Sequence, residues 1–150
     1  MYRITIKNTR ETERFIKDNP KEFHDAIVEG FSKAVLYVES TIKKSFGTLG
    51  KPKVRTGHLR RSIYSDVIER GDHIAGIVGS DLVYARIQEE GGVIVAKNAL
   101  YLRFTIGGRW VSVKQVVIPA RPYIEPAIQG SITQIQKIIS DTVKVHMERL

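Results

Sequence analysis

Enzyme chemistry of the commonest kinds needs a nucleophile with a base in reach, or imidazoles and carboxylates gathered around a metal ion. The sequence holds four histidines, His24, His58, His73 and His146, and none stands two to four residues from another, so there is no local ligand pair. Each reads as an ordinary surface or turn histidine. Glu89 and Glu90 are adjacent acids, but neighbours on a helix point about 100° apart and cannot share a proton. Gly47-Thr48-Leu49-Gly50-Lys51-Pro52 has the glycines and lysine of a phosphate loop at the wrong spacing, with proline where the motif requires Ser or Thr. Zero cysteines exclude thiol nucleophiles, disulfides, iron–sulfur clusters and cysteine zinc sites. No catalytic, cofactor-binding or metal-binding residue is assigned.

What remains is the chemistry of charge. The net charge is +8, and it is local. The 26 residues between Glu39 and Asp66 hold no acid and seven bases: Lys43, Lys44, Lys51, Lys53, Arg55, Arg60 and Arg61. The 34 residues between Glu90 and Glu125 hold no acid and five bases: Lys97, Arg103, Arg109, Lys114 and Arg121. Those stretches carry +12 and the rest of the chain −4. The seven bases of the first stretch are the candidate interface, facing DNA or protein. Phosphate binding by such a surface would weaken steeply with salt. Base stacking needs exposed aromatics. Phe23, Phe31 and Phe104 sit in apolar patterns, leaving Tyr64, Tyr101 and Trp110 for the surface.

These residues need a scaffold. At 150 residues, 42% hydrophobic and 27% charged, with 12 Gly and 5 Pro, the chain suits one globular domain. No run of 18 apolar residues occurs, and the N-terminus alternates rather than offering a signal peptide, so a soluble chain made in the cytosol is expected. Tyr2, Ile4 and Ile6 predict a short strand, and residues 8–18 a charged connector or a loosely packed helical turn. Asn19-Pro20 reads as a helix cap and first position. Phe23, Ile27, Phe31, Ala34/Val35, Val38 and Ile42 then recur at steps of three and four as the stripe of a long helix ending near Gly47.

Residues 47–56 read as an exposed, flexible basic loop that orders on binding. Residues 61–69 and 73–79 predict a hairpin turning at Arg70-Gly71-Asp72. Asp81 is placed as the cap of a short helix running to Glu90 and stopped by Gly91-Gly92. A second hairpin pairs residues 100–106 with 110–118 across Gly107-Gly108. Residues 119–122 form a rigid connector into a long terminal helix over 123–150, with Ile128, Ile132, Ile135, Ile139, Val143 and Met147 on one face. The expected architecture is α+β: an antiparallel sheet of about four to five strands with two long amphipathic helices on one face, plus a short helix.

Three segments, in order, carry a resemblance. Thr56-Gly57-His58-Leu59-Arg60-Arg61-Ser62-Ile63 follows the long helix. Val78-Gly79-Ser80 and Tyr84-Ala85-Arg86-Ile87-Gln88-Glu89-Glu90-Gly91-Gly92 come next. Ile118-Pro119-Ala120-Arg121-Pro122-Tyr123-Ile124 opens the last helix. Over residues 20–145 the chain resembles the tail-completion proteins of long-tailed bacteriophages and prophages, also described as head–tail joining, minor capsid or virion morphogenesis proteins. Residues 1–19 have no counterpart in that pattern.

The resemblance implies a non-enzymatic virion component without cofactor or metal, assembled in the host bacterial cytoplasm and acting at the neck or head-proximal tail end. It would join a ring-forming homo-oligomer, with tail terminator, head-closure or connector proteins as neighbours and no membrane contact. In the motif, Thr56-Gly57 would cap a turn with Leu59 inward and Arg60 and Arg61 outward. Tyr84 and Ala85 would anchor the short helix, Glu89 would pair with an arginine such as Arg121, and Pro119 and Pro122 would aim the last helix. The same residues can equally be fold-defining, with the assembly surface elsewhere. The alternative from another class is a small basic nucleic-acid-binding protein or ribonuclease toxin.

Overall fold

The computed structural model describes residues 10–71 and 73–149, with the backbone alone for Glu11 and Thr12. The expected strand over Tyr2, Ile4 and Ile6 lies outside the described residues, as does Asp72 of the first turn.

The stretch before Asn19, expected as a charged connector or a loosely packed helical turn, is helical at full length: Arg10–Asp18 forms α1. Among its described side chains Phe15 is the buried one. Phe15 packs edge-on against Phe23 with ring centroids 6.3 Å apart, and such a pair can fix an otherwise charged helix whose remaining face is solvated. Pro20–Ser45 forms α2. Asn19 makes no side-chain cap bond; its amide donates to the Phe15 carbonyl at 2.8 Å and its carbonyl accepts from Phe23 at 3.0 Å, so the backbone spans the break. α2 ends before Phe46, which is extended, and Gly47 follows at φ +84°.

The stripe of α2 is used on two sides. Its fully buried residues are Ala26, Gly30, Ala34, Val38 and Ile42; the first three are small and admit the terminal helix α5, Glu125–Met147. At Gly30 a Cβ would stand 3.1 Å from the Ile139 Cα, so glycine sets how closely the two helices cross. The half-buried Phe31 and Val35 face a hairpin of β1, Ile63–Arg70, and β2, His73–Ser80. These strands pair antiparallel from Ile63 with Ser80 to Arg70 with His73.

The core gathers Val38, Ile42, Phe46, Ile63 and Tyr123, with Leu59, Ile128 and Ile135 against it. Most of the stripe expected on α5 is half-buried; Ile139 and Val143 are fully buried. No helix among the described residues is long and apolar enough to cross a membrane.

Two short helices follow in the chain, α3 at His58–Arg61 and α4 at Ala85–Glu90. α4 starts four residues after Asp81, and no side chain caps it. Asp81 instead stands beside the Tyr64 hydroxyl and raises its pKa, so the expected cap is corrected to a strand-end contact.

The α+β class and the two long helices match the sequence reading, but the strands are arranged differently. Among the described residues they are six, in three two-stranded ladders rather than one sheet. β3, Gly92–Val95, has no counterpart in the sequence reading; it pairs with β6, Gln115–Ile118, while β4, Leu102–Ile106, pairs with β5, Arg109–Val113. The arm expected as one strand over 110–118 is thus divided at Lys114. The two ladders follow one another along a single long hairpin, with residues 96–101 looping out opposite Lys114. The physical reason is length. β4 offers only five partners, and the consecutive β-branched residues Val93-Ile94-Val95 supply the rest.

Candidate functional site

The three dispersed sequence segments meet. A cleft of about 480 Å³ is lined by Phe46 and the strip Pro52 to Arg60, closed on the other side by Tyr84, Gln88 and Arg121. Thr56, Gly57, Leu59 and Arg60 come from the first segment, Tyr84 and Gln88 from the second, and Arg121 from the third.

The strip is built by its backbone. Gly57 sits at φ +72°, a left-handed conformation that an L side chain seldom adopts, and its carbonyl accepts from the Arg61 amide at 2.9 Å to close α3. The Thr56 hydroxyl accepts from the His58 amide at 3.3 Å. Leu59 packs on the core while Arg60 and Arg61 remain exposed, as the motif implied. Ser62 then locks the segment to the hairpin: its hydroxyl donates to the Leu59 carbonyl at 2.8 Å and lies 2.7 Å from the Ser80 hydroxyl.

The loop ahead of the strip is tied at its base. The Gly47 amide donates to the Pro52 carbonyl at 3.0 Å, the Lys51 amide to Thr48 at 3.1 Å, and Pro52 is buried. Lys51 Nζ donates to the Pro122 carbonyl at 2.6 Å, so this base serves as a strut between loop and connector. Lys43 pairs with Glu39, whose carboxylate also accepts from Ser65 and is held below the usual range mainly by the Lys43 hydrogen bond. Lys44 and Arg61 are exposed on the flank. Lys53, Arg55 and Arg60 line the cleft, joined by Arg121 from the second acid-free stretch. Among the described residues, none of these four has an ion-pair partner.

Glu89 is engaged elsewhere, which corrects the expected pairing with Arg121. Its carboxylate accepts the backbone N–H groups of Tyr123 at 2.7 Å, Ile124 at 3.0 Å and Glu125 at 3.0 Å, meeting the orphan donors that every helix start leaves. Glu90 points away and pairs with Arg86 at 2.8 Å, so the two acids are separated as helix geometry requires. The Arg121 amide donates to the Gln88 carbonyl at 2.9 Å.

Pro119, Ala120 and Pro122 carry the chain past Gly91, where a Cβ would come within 2.6 Å of the Ala120 nitrogen. Ala85 is the buried anchor of α4; Tyr84 is not, being exposed in the cleft. Its neighbour Tyr123 is fully buried, and burial first, then the Glu89 charge, pushes that phenol up to about 12. The motif residues therefore divide. Ser62, Ile63, Ala85, Glu89, Gly91, Pro119, Ala120 and Pro122 shape the fold, whereas Thr56, Gly57, Leu59, Arg60, Tyr84 and Arg121 shape the cleft.

A second surface lies on the long hairpin of β3 to β6. Leu100 is 85% exposed, Trp110 78%, Val117 66% and Ile106 62%, and Val93, Val95 and Tyr101 are exposed with them. The sequence marks Trp110 and Tyr101 as surface aromatics; it gives no sign that the aliphatic residues beside them also face solvent. Among the described residues no three His, Asp or Glu side chains gather as a metal-ligand set.

No family model, curated protein or solved structure matches this chain.

Proposed function

We propose that this chain is a non-enzymatic assembly component of a long-tailed phage or prophage particle, acting at the neck or head-proximal tail end in tail completion and head–tail joining. The observation that carries this reading is the exposure of large apolar residues on the long hairpin, where Leu100, Ile106, Trp110 and Val117 are each more than half exposed. Large apolar side chains exposed together on one element mark a place where another protein sits, and the stretch that carries these, between Glu90 and Glu125, holds Lys97, Arg103, Arg109 and Lys114 and no acid.

The outer face of the β1–β2 hairpin offers a second patch. Tyr64, Asp66 and Ile77 are exposed there, on the side away from the Ser65–Glu39 contact, with Asp81 beside Tyr64. Two different patches on one subunit are what a head-to-tail ring requires. The convergence of the three motif segments on one cleft adds to the resemblance, because residues far apart in sequence share one surface.

Deleting the gene from its phage or prophage and imaging the lysate tests the proposal. Separate filled heads and finished tails are expected; joined, infectious particles would overturn it. The rival reading, a small basic nucleic-acid-binding protein or ribonuclease, predicts RNA cleavage or duplex binding that survives moderate salt. An assembly protein gives only weak, salt-sensitive attraction.

A further inference from the structure

Four cations line the cleft, Lys53, Arg55, Arg60 and Arg121, and no carboxylate among the described residues lies within ion-pairing distance of any of them. Like charges facing one recess repel one another at close range. Such an arrangement is favourable when an anion enters. The walls between the cations are not polar: Val54 and Tyr84 present exposed apolar surface, and Leu59 and Phe46 form the floor. Gln88 offers an amide. Residues 52–54 run without helix or strand, so they border the recess with backbone outside any ladder.

The volume is in the range of sites that enclose a small molecule or a few residues of extended chain. A duplex is too wide to enter a recess of this size. Single-stranded nucleic acid is held by series of stacked aromatics, and here the lining exposes one phenol, Tyr84, and one imidazole, His58, rather than a series.

We propose that this cleft is a docking slot for an acidic, extended protein segment in which carboxylates flank a bulky apolar side chain. Arg60 and Arg121 hold the carboxylates from opposite sides, and the apolar residue lies against Val54, Leu59 and Tyr84. Guanidinium groups suit this task because their fork of donors matches a carboxylate. The inference deepens the assembly reading, and rests on it only for the statement that the segment belongs to a neighbouring particle protein.

Fluorescence anisotropy on the purified full chain tests it, with a labelled peptide of alternating Glu and Leu as the probe. Comparison probes are the same peptide with Gln in place of each Glu, and a short single-stranded oligothymidylate. The acidic peptide should bind and the Gln peptide should not. Arg60→Gln with Arg121→Gln should weaken binding by about tenfold or more, while Arg103→Gln with Arg109→Gln, an equal charge change on the long hairpin, should leave it within about twofold.

Arg55→Gln with Lys53→Gln is the second cleft pair, in case the first perturbs folding. Absence of peptide binding, equal loss from the hairpin pair, or an oligothymidylate that binds more tightly through the same arginines would each overturn the proposal. The assembly reading fails on particles in a lysate and the slot fails on anisotropy, so neither failure implies the other.

Discussion

Glu89 and Tyr123 clasp each other at both ends: the Glu89 carboxylate accepts the Tyr123 amide at 2.7 Å, and the Tyr123 hydroxyl reaches back to the Ala85 carbonyl, one turn earlier on the same short helix, at 3.3 Å. α4 and the start of α5 are thereby a single unit, joined across 34 residues of chain that includes the whole long hairpin.

Glu89→Ala removes the acceptor for three backbone donors. The expected cost is about 2 kcal/mol, a Tm drop of roughly 4–8 °C for a chain of this size. Glu89→Gln keeps one carbonyl oxygen and should lose less. Arg121→Ala, which would match the Glu89 variants if the two side chains were paired, should stay within about 1 kcal/mol of the native protein. Thermal unfolding followed by circular dichroism separates these cases.

The clasp between the two long helices responds to acid. The Glu29 carboxylate accepts from Lys33 at 2.6 Å on its own helix and meets His146 of α5 at 2.8 Å. The Lys33 hydrogen bond, with His146 second, holds it at about 2, below the ordinary 4.5. A carboxyl depressed in the folded state stabilises above its unfolded value, and that contribution disappears as pH falls from 4.5 towards 2. Glu29→Gln should flatten the dependence of Tm on pH in that window, and the two curves should converge at its acid end. Parallel curves throughout would show that this contact contributes nothing.

Gly76 on β2 lies against α2 so closely that a Cβ there would overlap the Val35 Cγ1. Gly76→Ala should cost about 1–3 kcal/mol, because Val35 is β-branched and has no easy rotamer to retreat into. Val35→Ala in the same chain should return part of that loss, whereas at an independent site the two costs would add. Denaturant titration of the two single variants and the double variant reads the coupling directly.

At Gly91 no such rescue is available. Its φ is +71°, and a Cβ there would stand 2.6 Å from the backbone nitrogen of Ala120, which leaves nothing flexible to move. Gly91→Ala should destabilise by more than about 2 kcal/mol, measured as soluble yield and Tm.

Exposed apolar residues on the long hairpin should matter for assembly and not for folding. Ile106→Asp and Trp110→Asp should change Tm by less than about 2 °C, since surface substitutions usually cost under about 0.5 kcal/mol. Complementation of a gene deletion with either variant should leave heads and tails unjoined. Full restoration of joined particles would show that the hairpin is not the contact surface.

The amphipathic helices are legible in the sequence because their signal is local and repeated. Phe23 to Ile42 and Ile128 to Val143 mark their faces several times over, and tertiary packing only has to accept them. The β1–β2 hairpin and the Gly107-Gly108 turn are legible for the same reason: a tight turn is set by two or three neighbouring residues. The basic, acid-free stretches are likewise a property of composition, and they hold the loop strip and the long hairpin.

What the chain order does not contain is who meets whom. Val93-Ile94-Val95 becomes a strand only because Gln115 to Ile118, beyond the reach of the five-residue β4, are left to pair with it. Phe15 turns a charged connector into a helix only once Phe23 stands beside it. Glu89 has several candidate partners by charge; the backbone donors of Tyr123 to Glu125 win because three aligned N–H groups at a helix start form one concentrated site for a carboxylate. That choice frees Arg121 to face Lys53, Arg55 and Arg60 across a cleft. Sequence alone therefore determined the two long helices, the tight hairpin turns and where the charge lies, through short-range periodicity and composition. Only the tertiary structure decided which cations remain unpaired and share one recess, because that depends on contacts closed over tens of residues.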